Sequence, residues 1–261
     1  MRVQTWLLLL GTIALVMGKA GSGTDRVWPM PRNITSDPDA VPFVVNPCDI
    51  KLVIETPDVH VREMIDFYLA EVFRCTKSSD SPVTLNIIVK DTYTYTPFIK
   101  AHEEYSLFLR NNNKWELSAN YYPGFLRGLE TFSQLFEKND AGKWAVKGLP
   151  VSINDGPEFI WRGLMIDSSR HFIPVDVIKH TIDGMMFNKL NVMHWHIIDE
   201  DSFPYEIPSL PELSQYGKIG GVYSTNDIKE IIIYARYRGI RVVPELDTPA
   251  HTESWGRSKK Y

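Results

Sequence analysis

Short apolar runs alternate with segments of helical spacing beyond residue 160, and this alternation constrains the fold more than any other feature. Leu164-Met165-Ile166 is a short apolar run, residues 175–187 space their apolar positions as a helix does, and residues 190–198 form an apolar run that carries two histidines. Thr225 and Asn226 are N-cap candidates for a helix over 227–238, which Gly239 stops, and residues 240–246 read as another strand. Strand, helix, strand, helix, strand is the pattern of a parallel α/β sheet, whether closed into a barrel or open. In either form, functional residues gather where the strands end. Those ends carry Asp167, then Asp199-Glu200-Asp201, then Glu245, Asp247 and His251.

The first half reads differently. Residues 59–74 place Val61, Met64, Ile65, Tyr68, Leu69 and Val72 on one helical stripe. Residues 83–90 and 104–110 look like strands rich in branched and aromatic side chains, and 124–137 like a second helix. Together they predict a compact α+β domain over residues 26–137. Residues 138–158 contain Gly142, Gly148, Pro150, Gly156 and Pro157, which reads as a linker to a second domain over 159–261.

The first twenty residues stand apart. Met1-Arg2 is followed by the apolar run Trp6 to Met17 and the small residues around Gly18 and Ala20. That run is too short to span a bilayer comfortably, and residues 1–20 read as a secretory signal peptide. Asn33-Ile34-Thr35 is an acceptor for N-linked glycan. Cys48 and Cys75 are the only cysteines, and in a secreted chain they read as one disulfide worth about 3 kcal/mol. A net charge of -4 gives no electrostatic reason to expect nucleic acid as a partner, and no later stretch approaches membrane length.

Three motifs concentrate polar chemistry. The first runs from Trp161-Arg162-Gly163 through Asp167-Ser168-Ser169-Arg170-His171-Phe172. The second is Asn188-Lys189-Leu190-Asn191 followed by His194-Trp195-His196-Ile197-Ile198-Asp199 and Ser202-Phe203-Pro204-Tyr205. The third is Pro244-Glu245-Leu246-Asp247-Thr248-Pro249-Ala250-His251-Thr252, then Ser254-Trp255. Carboxylates and guanidinium forks hold sugar hydroxyls through charge-assisted bonds, and an indole face covers the apolar side of a pyranose. Each residue alone has a bland reading: a Trp beside a strand is usually core, and an Asp after one is often only a cap. Three clusters at consecutive strand ends point jointly to a site.

These motifs resemble those of glycoside hydrolase family 20, the β-N-acetylhexosaminidases, and of its lysosomal type in particular. The Trp28-Pro29-Met30-Pro31 entry and residues 126–135 are similar to that family's preceding α+β domain. The resemblance implies an α/β fold in which the small domain precedes the first three β/α units of an eight-stranded (β/α) TIM barrel. It implies removal of terminal non-reducing N-acetylglucosamine or N-acetylgalactosamine, with no cofactor and no metal, on glycan substrates reached by the secretory route to the lysosome or outside the cell. A dimer of the full-length enzyme is a further implication. This family departs from the two-carboxylate scheme, since the substrate's own acetamido oxygen attacks the anomeric carbon.

Carried over by motif, Arg162 grips sugar hydroxyls, Asp199 and His251 belong to the active-site network, and Asp247 orients the His251 ring. Geometry alone puts a residue that precedes its strand at the opposite end of a barrel; Arg162 follows the family pattern instead. The family's acidic Asp-Glu pair follows the fourth strand, hence beyond Tyr261, so the chain as given is expected to be inactive and Asp199-Glu200 does not replace that pair. Ala250 stands where the family usually has Gly, and Glu158 where it often has Arg. Two rivals remain: a metal-dependent hydrolase ligated by His194 and His196, which point the same way on a strand, and a non-catalytic glycan binder.

Overall fold

The computed structural model describes residues 23–91 and 102–258. The expected signal peptide lies outside the described residues. In chain order the strands and helices are β1 (Asn33–Thr35), β2 (Phe43–Val44), β3 (Lys51–Glu55), α1 (His60–Phe67), β4 (Thr84–Val89), β5 (Tyr105–Leu109), β6 (Lys114–Ala119), α2 (Tyr122–Gln134), β7 (Phe136–Lys138), β8 (Trp144–Val146) and β9 (Val151–Asp155). They continue with β10 (Gly163–Asp167), α3 (Val175–Phe187), β11 (Val192–Ile198), α4 (Pro211–Gly217), α5 (Thr225–Tyr237), β12 (Arg241–Leu246) and α6 (Glu253–Gly256). The result is an α/β protein with a mixed six-stranded sheet in the order β1-β9-β5-β6-β4-β3, a small β2-β8-β7 sheet, and a parallel β10-β11-β12 sheet.

Strict alternation sets the first sheet. β4, β5 and β6 bury every second residue, so Leu85, Ile87, Leu107, Trp115 and Leu117 face one side. α2 lies across that side and is buried nearly all round, Arg127 and Glu130 included. Gly124 permits the close approach, because a Cβ there would meet the backbone oxygen of Glu104 at 2.4 Å. α1 buries Val61, Met64 and Ile65, and a wider π turn over Tyr68–Phe73 extends the same stripe before Arg74 leaves in the left-handed conformation. The Cys48–Cys75 disulfide follows that turn.

Residues 138–158, expected as a linker, are instead part of the first fold. β9 pairs with both β1 and β5 inside the six-stranded sheet, and β8 pairs with β2 and β7. Gly148 and Pro150 punctuate tight connections between short strands rather than a free segment. The helix expected to end near residue 137 stops at Gln134, since the chain turns directly into β7.

In the parallel sheet, β11 sits between β10 and β12 and is buried along almost its whole length, as a central parallel strand should be. α3 and α5 make the crossovers and contact one another. The cap of α5 is Ser224, one residue before the expected Thr225: its hydroxyl accepts from Asp227 N at 3.1 Å while Asp227 accepts from Ser224 N at 2.8 Å. Thr225 is occupied by Glu206. Gly239 ends the helix at φ +68. β10 is one of the two edge strands, and it leaves Leu164 and Met165 exposed, with Phe159, Ile160 and Trp161 just before it. Among the described residues no helix is long and apolar enough to cross a membrane.

One seam joins the two larger sheets. Glu103, beside β5, lies between Arg127 Nε at 2.7 Å and the Arg162 guanidinium, and its other oxygen accepts from Asn191 Nδ2 at 2.9 Å. Arg127 Nη2 donates to the carbonyls of Leu190 and Gly239 at 3.0 and 3.2 Å. Lys189 Nζ reaches Thr131 Oγ1 at 2.6 Å, and its burial lowers its pKa to about 8.

Candidate functional site

Register decides which side chains meet. Asp167, His196 and Glu245 are cross-strand partners at the carboxyl ends of β10, β11 and β12. The loops leaving those strands bring Arg170, Asp199, Asp247 and His251 to the same end. The centre is Asp199, which has no side-chain exposure. Its Oδ2 lies 2.7 Å from Arg170 Nη2, 2.8 Å from His196 Nε2 and 3.7 Å from His251 Nδ1. Arg170 also donates to Asp167 Oδ2 at 2.7 Å, so one guanidinium spans two strand ends.

His196 contacts carboxylates through both ring nitrogens, with Glu245 Oε1 3.3 Å from Nδ1. Burial disfavours its charge, but the hydrogen bonds it donates to Asp199 and Glu245 outweigh that and raise its pKa. His194, two residues earlier on the same face, contacts the other oxygen of Glu245. His251 Nδ1 lies 2.8 Å from Asp247 Oδ2; that bond raises the imidazole pKa and lowers that of the carboxyl. Asp247 is thus placed to orient His251, as expected. The left-handed backbone falls on His251, φ 58, and not on Ala250, so the Ala costs nothing in strain.

The structure brings Asp199, Asp247 and His251 together but not Arg162. Arg162 precedes β10, and its carbonyl accepts from Asn191 and Val192 at the opposite end of the sheet. Its guanidinium is committed to Glu103, Lys189 O at 2.9 Å and Phe159 O at 2.7 Å. The guanidinium at the site is Arg170, three residues past Asp167. The strand-end rule pointed to it, since Arg170 follows the strand and Arg162 does not.

One indole takes the core reading. Trp195 is fully buried and donates from Nε1 to Ser168 Oγ at 2.9 Å, so it is core and not a sugar platform. Phe203 is buried too, edge-on to Trp255. Glu158 is exposed and pairs with Arg32. Two groups, His196-Glu245-Asp247 and Asp199-Asp247-His251, hold their donor atoms within 4.8 Å of one another. His194, on which a paired-histidine metal site depends, is in neither group. The donors are already matched cation to anion, a pattern that satisfies itself without an ion.

Parallel strands whose carboxyl ends gather carboxylates, imidazoles and a guanidinium into one buried-to-exposed cluster mark the β/α class of fold, in which those ends carry the functional site. Comparison with known proteins places the chain within it. Residues 159–260 match the profile described as glycosyl hydrolase family 20, catalytic domain, and residues 27–135 match that described as beta-acetyl hexosaminidase like. The beta-hexosaminidase subunit beta of Mus musculus is 49% identical over 166 residues, 63% of this chain and 30% of that protein. The Homo sapiens subunit beta is 44% identical over 186 residues, 70% of this chain and 33% of that protein. Among solved structures, the Flavobacterium johnsoniae chitobiase superposes with a TM-score of 0.75 at 31% identity, covering 88% of this chain and 36% of that one. The chain belongs to glycosyl hydrolase family 20, and spans about a third of the length of the curated relatives it matches.

Proposed function

We propose that the chain carries the sugar-holding part of a β-N-acetylhexosaminidase, which removes terminal non-reducing N-acetylhexosamine from glycoconjugates. In this reading residues 159–261 are the opening three β/α units of a barrel that follows the small domain. The observation that carries the reading is Asp199, an unexposed carboxylate held by Arg170 and His196 at the mouth of three parallel strands. Arg170 is half exposed, and it stands beside the buried Asp199 carboxylate. A donor beside an acceptor is what a pair of neighbouring ring hydroxyls requires. A structural relative supports the choice of sugar: the GH20 exo beta-N-acetylglucosaminidase of Vibrio harveyi, solved in complex with N-acetylglucosamine.

The chemistry proposed is substrate-assisted and retaining. The 2-acetamido oxygen attacks the anomeric carbon, so the protein supplies no nucleophile, and an acid protonates the leaving oxygen. Asp199-Glu200 does not serve as that acid pair, because Asp199 is committed to Arg170 and His196. The role proposed for Arg170, Asp199 and their neighbours is to hold the sugar. A secretory route, by way of residues 1–20 to the lysosome or the cell exterior, belongs to the same reading.

Calorimetry with N-acetylglucosamine tests it. Charge-assisted bonds of about 1.5–3 kcal/mol translate into roughly 10- to 100-fold weaker binding for Arg170→Met or Asp199→Asn. Arg162→Met leaves the affinity of the folded protein unchanged, and so does a chelator. Binding that survives Arg170→Met, or that needs a chelatable ion, refutes the assignment.

A further inference from the structure

We infer that Asn33 carries an N-linked glycan whose first sugars lie in a polar groove on the open face of the six-stranded sheet. This rests on the secretory route proposed above. Asn33 and Thr35, the acceptor and its hydroxyl partner, are both exposed on β1, while Ile34 between them packs against the core. Cross-strand register then sets a row on one face: Asn33 opposite Asn154, Asn154 opposite Ser106, Ser106 opposite Ser118. Every member is short and polar, and Ser106 Oγ donates to Asn154 Oδ1 at 2.7 Å.

Short side chains on four neighbouring strands leave a hollow. A cavity of about 400 Å³ opens there, with Asn33 at its wall, Ser106 and Ser118 beneath, and Arg32, Lys90 and Glu104 around it. That volume lies in the range of small-ligand sites. Three strand spacings of about 4.8 Å separate β1 from β6, a span that two or three linked pyranoses can follow. Hydroxyls, amides, a carboxylate and cations are the groups that pair with sugar hydroxyls and an acetamido group. The occupant is attached at the wall of the cavity, so its local concentration is in the millimolar range and weak contacts suffice to seat it.

The covalent step needs a lipid-linked oligosaccharide diphosphate as donor. The Asn33 Nδ2–anomeric carbon bond forms as the bond from that carbon to the diphosphate oxygen breaks; one amide proton is lost and the lipid diphosphate leaves with the electron pair. Once attached, the glycan also crowds the three-residue edge strand β1, which would otherwise offer free backbone groups for pairing.

The test secretes the chain from eukaryotic cells behind an unrelated leader, and glycopeptide mass spectrometry reads occupancy of Asn33. Peptide-N-glycosidase then releases the glycan from native and denatured protein. Lys114→Thr supplies an internal control, because it creates an acceptor at Asn112 in the exposed β5–β6 turn. Release from native Asn33 is expected to be at least about tenfold slower than from denatured protein or from native Asn112. Filling the groove with Ser106→Tyr, or separately Ser118→Tyr, brings the native Asn33 rate close to the denatured one while circular dichroism is unchanged. An unoccupied Asn33, equal native and denatured rates, or protection that persists in both folded groove variants overturns the inference. Failure of the chain's own first residues to direct secretion, measured in parallel, counts against the localisation alone.

Discussion

Replacing Glu103 by Gln keeps the shape of a side chain that is 1% exposed and removes its charge. Two guanidiniums then lose their shared anion: Arg127, itself 3% exposed, and Arg162 at 17%. Breaking a buried pair from one side costs about 3–5 kcal/mol, because a desolvated charge is left behind. Domains of about 150–250 residues lose about 2–4 °C per kcal/mol, so the expected fall in melting temperature is about 6–20 °C. Thermal unfolding followed by near-ultraviolet circular dichroism measures it, with exposed Glu104→Gln as the silent control. The cycle with Arg162→Gln adds a sharper requirement. The arginine change must cost at least about 1 kcal/mol less in the Glu103→Gln background than alone, since the pair is already broken. Burial raises the cost of the Glu103 charge, yet the two guanidiniums and Asn191 hold its pKa below the ordinary glutamate value. Its contribution is therefore present above that ordinary value and fades as pH falls through the lowered one. A Glu103→Gln protein that melts with the wild type, or an additive cycle, would refute the reasoning.

Three further outcomes follow from the geometry. Gly124→Ala should destabilise the chain by about 1–3 kcal/mol in urea titration, because the new methyl meets backbone rather than a side chain that can yield. Ser224→Ala should cost about 0.5–2 kcal/mol, measured the same way, whereas Thr225→Val should keep the cap. His196 and His251 should titrate above 6.5 in imidazole NMR, and Asp247 below 3.8. The histidine contribution is then complete below 6.5 and lost as pH rises through the raised values, while that of Asp247 is lost as pH falls through its lowered one. Sugar binding should accordingly hold across acidic pH and decline in the alkaline range; binding strongest at alkaline pH would contradict the charge pattern.

The parallel unit was readable because apolar runs and helical spacing repeat there in clean alternation. Helix 175–187 matches its prediction, and both histidines of β11 face Glu245 as their spacing requires. The first sheet was harder. β1, β2, β7 and β8 are two or three residues long, too short for alternation to register, and β9 sits among the glycines and prolines that suggested a linker. Ser224, Thr225 and Asn226 are all good caps, so only Asp227 three residues on distinguished the first of them. At the site, Asp199, Asp247 and His251 follow from the strand-end rule. The error over Arg162 came from setting that rule aside for a motif, when Arg170 satisfied it. The buried state of Trp195 depends on Ser168 from the neighbouring strand, a partner that spacing within one segment cannot reveal.

Arg127 joins parts of the chain that are distant in sequence. From a helix of the first sheet it grips the turn before β11 and the turn before β12, and through Glu103 it shares an anion with the residue before β10. All three parallel strands are thus anchored at their amino ends to one foreign ion pair, Arg127 with Glu103. The part of the fold built on the six-stranded sheet is consequently a foundation and not an appendage: it fixes the relative heights at which the strands start, and so the heights at which Asp167, His196 and Glu245 emerge some twenty ångströms away by strand rise. Transplanting the β/α portion onto another scaffold would have to replace this footing before any pocket at the far end could hold its shape.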